Sequence, residues 1–177
     1  MLKRASVLAL SILFLGAANA QTPPEILEHY QTYTAAVKVK DSKAAAKAGY
    51  LAWQKAEELL GDSPTTATLA FNFATASKAS EGKSKDIIRG YERSIDLTPL
   101  SGDDGVAQRL EREVALGAHL VSKNKNSQFR KRFKDVLAFA EENNVGYSTF
   151  LGELYTLRSQ IEIALSDHKD TEKYADL

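Results

Sequence analysis

The sequence predicts an all-α protein, a row of helical hairpins behind a cleaved export signal. Three observations carry that expectation. Apolar residues recur at three- and four-residue spacing in seven successive stretches, the period of an amphipathic helix. No stretch alternates with period two, so no sheet is expected. Two kinds of marker, a Leu-Gly pair and a proline, each return after 35 residues, which points to a repeated unit.

The elements follow in order. Residues 1–20 have the order of a secretory signal: basic Lys3 and Arg4, a short apolar run from Val7 to Gly16, and the small residues Ala18-Asn19-Ala20 that signal peptidase accepts. The apolar run is too short to span a bilayer, which takes ~20 residues. Cleavage is expected after Ala20, with no stable membrane insertion afterwards. Pro24 opens the first helix, which runs to about Val39 with Ile26, Leu27, Tyr30, Tyr33 and Val37 on one stripe. Asp41-Ser42 recaps the chain. The second helix spans Ser42 to Leu60, rich in alanine and carrying Tyr50 and Trp53, read as core residues filling the space that alanines leave. Gly61 to Pro64 is a stop and turn.

The third helix is expected over Thr65–Ser80, built on Leu69, Ala70, Phe73 and Ala76. Glu81-Gly82-Lys83 turns the chain, and Ser84–Leu97 is the fourth helix, with Ile87, Ile88, Tyr91 and Ile95. Leu100–Gly105 is expected as a loop. The fifth helix runs from about Asp104 to Lys123, the sixth from Ser127 to Glu142, and the seventh from Gly146 to about Leu165. Residues 21–166 thus form the helical domain, and 167–177 are set apart as a charged C-terminal tail.

Composition narrows the function classes. The 177 residues carry 23 Lys and Arg against 23 Asp and Glu, so no global charge draws the chain to nucleic acid or an anionic membrane. There is no cysteine, which excludes disulfides, thiolate metal sites and a cysteine nucleophile. An exported chain with neither cysteine nor an Asn-x-Ser/Thr sequon after residue 20 fits a bacterial periplasm. A periplasmic or secreted location is therefore expected.

The chain resembles tetratricopeptide (TPR) repeats. The residues that carry the resemblance are Phe71, Gly82 and the run Tyr91 to Pro99 in one unit, Leu116-Gly117 with Phe129 and Phe133 in the next, and Leu151-Gly152 with Tyr155 in a last one. Gly49, Trp53 and Ala56 make a looser first unit. Pro64 and Pro99 are read as each closing a helix. Ile87 and Phe129 stand where the family has alanine, the family's tryptophan is missing from the first helices, and 102–109 is an insertion. The resemblance implies an α-solenoid of about three to four degenerate repeats with a groove for a protein or peptide partner. It places Asn72, Glu111, Thr149 and Glu153 on that groove. Leu69 to Ala74, with the signal, also resembles the N-terminal repeat region of TonB-type energy transducers. No proline-rich spacer or αβ segment follows, so the alternative is a stand-alone relative.

Site chemistry is sparse. Glu25 with His29, and His168 with Glu172, lie one helical turn apart, but two ligands do not make a metal site, and exposed ion-paired or capping histidines are the simpler reading. His119 lies beside an apolar stripe and reads as a packing residue. Ser101 to Gly105 lacks the glutamate twelfth in a calcium loop, since Val114 or Ala115 stands there. Phosphate-loop, dinucleotide and nucleophile-elbow patterns are absent. No catalytic, metal or cofactor residue is expected, and an unrecognised envelope hydrolase is kept only as a further alternative. One uneven feature stands out: Lys123, Lys125, Arg130, Lys131, Arg132 and Lys134 fall in a stretch free of acids, with Phe129 and Phe133 interleaved on the core face.

Overall fold

The computed structural model describes residues 22–146 and 148–175, and within them the side chains of 22–101, 104–146 and 148–163. The expected export signal lies outside the described residues. Seven helices follow one another: α1 (Pro24–Lys38), α2 (Ser42–Leu60), α3 (Pro64–Ala79), α4 (Ser84–Asp96), α5 (Gly102–Ser122), α6 (Asn126–Glu142) and α7 (Thr149–Ala175). There is no strand among the described residues.

The helix ends have local causes. Asp41 Oδ1 accepts the amide of Ala44 at 2.9 Å, Ser63 Oγ that of Thr66 at 3.1 Å, and Ser148 Oγ that of Leu151 at 3.3 Å, each occupying an amide that the first turn leaves free. Helices α1, α3, α5 and α6 all stop in the same way. Lys40, Glu81, Asn124 and Asn144 take φ of 58°, 57°, 54° and 53°, and the next amide reaches back five residues to the carbonyls of Ala36, Ser77, Leu120 and Ala140. Two of these left-handed positions hold Asn, which tolerates them. Lys40 and Glu81 do not announce themselves in the sequence.

Three expectations are corrected. The loop expected over Leu100–Gly105 is shorter, because α5 already starts at Gly102. Gly105 allows that start: a Cβ there would meet the Pro99 carbonyl oxygen at 2.2 Å. Helix α7 begins at Thr149, later than Gly146, and continues to Ala175 through most of the charged tail. No glycine or proline interrupts it after Gly152. The third correction concerns the period. Pro64 opens α3, whereas Pro99 lies beyond the end of α4, so the two prolines do different work. The Leu-Gly pairs also sit at different heights, late in α5 and early in α7. What does recur evenly is the start of the second helix of each hairpin, at Ser42, Ser84 and Asn126, a step of 42 residues.

The interior is a series of three apolar clusters. Tyr33, Ala36, Ala45, Ala48 and Ala76 join the later part of α1 to α2 and α3. Ile26, Ala52, Trp53, Ala56, Leu69 and Phe73 join the same helices at the other end. A larger cluster runs from Phe71 and Ala74 of α3 through Ile87, Tyr91 and Ile95 of α4 to Leu116, Phe129, Phe133 and Leu154 of α5, α6 and α7. Helix α3 belongs to all three and is buried almost all round, as a helix with apolar residues on every side must be. Each helix packs on its neighbours in sequence, and α5 also packs on α7. Gly117 sits where α5 meets both α6 and α7: a Cβ there would lie 2.9 Å from the Phe129 ring and 3.4 Å from Leu154. The helix thus gives up a side chain to let its neighbours approach, as the Leu116-Gly117 pair suggests.

Candidate binding groove

Helices α4 and α6 run in the same direction, each antiparallel to α5 between them. Ser84 at the start of α4 meets His119 near the end of α5, and Ser94 near the end of α4 meets Arg112 in the first half of α5. A groove of about 620 Å³ opens along this seam. Helix α4 gives it Lys85, Ile88, Arg89 and Glu92, and α6 gives it Gln128, Lys131, Arg132 and Asp135. Each set is spaced i, i+3, i+4, i+7, one face of a helix. Leu116 and Leu120 of α5 form the apolar floor, and Lys125 closes one end.

The charges in the groove are not equivalent. Arg132 forks onto Glu113 of α5, with Nε donating to Oε2 at 2.7 Å and Nη2 to Oε1 at 3.0 Å. Glu113 is buried at 3% exposure; burial pushes its carboxyl up, and the Arg132 guanidinium pulls against that. Lys85, Lys125 and Lys131 form no ion pair among the described residues. Arg89 lies 5.0 Å over the Trp53 ring and is otherwise exposed.

At the Lys125 end, the Ser84 hydroxyl and His119 Nε2 are 2.9 Å apart. His119 is buried at 1% exposure and its Nδ1 has no partner. Burial, with Lys78, Lys123 and Lys125 nearby, holds its pKa below the usual 6.5, so the ring is neutral at pH 7. The packing role expected of it is what the structure places there.

The predicted basic run is therefore split. Lys125, Lys131 and Arg132 face the groove, Arg130 reaches Glu162 of α7 at 3.1 Å, and Lys123 and Lys134 stay exposed elsewhere. The groove's other cations, Lys85 and Arg89, escape a reading of that run because they come from α4. The spacing of Lys85, Ile88, Arg89 and Glu92 was the available signal.

The four polar residues expected on a common trough are dispersed. Asn72 is 4% exposed inside α3, and this corrects its placement, because α3 is covered on every side. Glu111 is half-buried, with its carboxyl raised by burial. Glu153 is exposed on α7. Thr149 lines a second cavity of about 780 Å³, with Val106 and Leu110 of α5, Val145 and Phe150.

A third cavity, of about 700 Å³, lies beside Trp53, between α2 and α4. Its wall is a clamp: Trp53 Nε1 donates to Glu57 at 3.0 Å, and Arg93 donates to Glu57 at 2.7 Å and to Asp62 at 2.6 Å. The Arg93 guanidinium holds the Glu57 carboxyl below its ordinary range. Trp53 stacks on Phe73 at 5.3 Å and is core, as expected.

Among the described residues no group of three or more His, Cys, Asp or Glu stands together as a metal site, and no helix is long and apolar enough to cross a membrane. His29 lines the Trp53 cavity without a second such ligand from its own turn, and the side chains of His168 and Glu172 lie outside those described. No family model matches the chain, and no curated protein matches it. The functional reading is carried by the geometry alone.

Proposed function

We propose that this chain is a non-catalytic binding module of the bacterial cell envelope, exported by residues 1–20, that docks a protein or peptide partner. The supporting observation is the placement of the apolar interior. It is a series of clusters between sequence-neighbour helices, which leaves grooves between the helices open along its length. Stacks of helix pairs use such surfaces to hold polypeptide segments. The likeness to TPR units lies in the pairing of the helices. The 42-residue step is longer than the ~34 residues of that repeat.

The test is photocrosslinking in intact cells. Benzoylphenylalanine replaces Gln128 in one cavity, Thr149 in another, and exposed Lys47 of α2 as a control. One protein adduct is expected from at least one cavity position and none from Lys47, on a chain whose N-terminus is Gln21. Adducts from Lys47 alone, or from no position, reject this reading. Turnover of an envelope polymer by the purified protein would put the hydrolase alternative in its place.

A further inference from the structure

We infer that the groove between α4 and α6 binds an acidic polypeptide segment. This deepens the proposed function by naming the chemistry of the partner.

The groove has a direction. Lys85 and Lys125 stand at the starts of α4 and α6, and Arg89 and Lys131 follow within about two turns. Glu92 and Asp135 come later on the same two faces. Two helices begin at the basic end, so their dipoles add to the positive potential there. Asp86, in the first turn of α4, is the carboxylate nearest this end and does not line the groove, while Glu113 is committed to Arg132 and Glu57 to Arg93, so the cations there outnumber it. Lys78 and Lys123 add to the field from the neighbouring turns, as their effect on His119 shows.

The charge sequence selects the class of occupant. A nucleic-acid strand presents phosphates at every step and would meet Glu92 and Asp135 at the far end with like charge. A membrane surface is flat, whereas Lys85 and Arg89 face Lys131 across a groove between two helices. A peptide meets neither obstacle. It can place Asp or Glu at the Lys85–Lys131 end and leave uncharged or basic residues beside Glu92 and Asp135. Gln128 offers an amide for its backbone.

The experiment uses the full chain and fluorescein-labelled decapeptides, read by fluorescence anisotropy. One peptide carries four Glu followed by a neutral tail, and its twin has Gln in place of each Glu. The acidic peptide is expected to bind at least tenfold tighter than the twin, and the preference is expected to shrink on raising salt from 50 to 200 mM. The double variant Lys85→Glu/Lys131→Glu is expected to lose at least tenfold. Lys47→Glu/Lys134→Glu makes the same charge change outside the groove and is expected to stay within about threefold. All four lysines are exposed, and circular dichroism checks that both variants keep their helices.

Equal binding of the two peptides overturns the inference, as does equal loss in the two variants. Tighter binding of a single-stranded oligonucleotide or of phosphatidylglycerol vesicles, abolished by Lys85→Glu/Lys131→Glu, reassigns the groove to a polyanion. A partner adduct at Thr149 with no acidic-peptide preference removes this inference and leaves the proposed function standing. A clear acidic preference with no adduct in cells does the reverse.

Discussion

Arg112 is 1% exposed and forms no ion pair among the described residues. Burial lowers its pKa to about 10, which still leaves it charged at neutral pH. Its compensation is a helix end. Nη1 donates to the Ser94 carbonyl at 2.7 Å, in the last turn of α4, where the Thr98 hydroxyl also donates at 2.7 Å. A cation suits that end of the macrodipole, and the Phe71 ring lies 5.8 Å away. His119 solves the same problem by staying neutral. Its folded pKa is below the 6.5 of the free side chain, so the unfolded chain binds more protons as the solution acidifies. Its contribution to stability is therefore complete above about pH 7 and is lost as pH falls from 6.5 through the lower folded value. Urea midpoints at pH 7.5 and 5.5 check this: the native protein should lose more on acidification than His119→Gln. A difference of opposite sign would mean that the ring is charged in the folded state.

The helices themselves were largely legible. α2 has the boundaries that Asp41-Ser42 and Gly61 announce, and every other helix except α7 begins and ends within two residues of its expected position. Caps, prolines and glycines are local signals, and they suffice for boundaries. They do not report height along a neighbour, which is why Pro64 and Pro99 looked equivalent at a 35-residue spacing. A proline at the first helical position and one past a helix end read alike in sequence. The glycines give a graded test. Gly117→Ala gains helix propensity of about 1 kcal/mol but sets a methyl 2.9 Å from a ring that can tilt, so a net loss of about 1 kcal/mol is expected. Gly105→Ala meets a backbone oxygen at 2.2 Å, which cannot move alone, so about 2–3 kcal/mol is expected. Equilibrium denaturation of both variants checks the order. Gly117→Ala as the worse of the two would mean that the turn at Pro99 yields more readily than the contact between α5 and Phe129.

At the scale of the molecule, the all-α class was legible in the sequence, but which helix faces are covered and which stand opposite each other was not, for two physical reasons. Asn72 stands between Phe71 and Phe73 in α3, and its groove placement came from the resemblance, whereas apolar residues fall on every side of that helix and neighbours cover it all round. The groove joins faces of α4 and α6 some forty residues apart, and only the fold sets them opposite each other. The basic run could be seen, but three of its six members point elsewhere.

The separate clusters have a consequence for how the chain comes apart. The two clusters at the N-terminal end are built from α1, α2 and α3 alone, whereas α5, α6 and α7 are held by the third. Ile26 is fully buried, and Ile26→Ala should cost about 2–5 kcal/mol. Deuterium uptake followed by mass spectrometry should show α1 and α2 exchanging faster in that variant while α5 and α6 keep their protection. Equal acceleration from end to end would mean one cooperative block. Graded release would mean that damage at one terminus frays only the adjoining panel, so a groove built from α4, α5 and α6 keeps its shape while the outermost helices come and go.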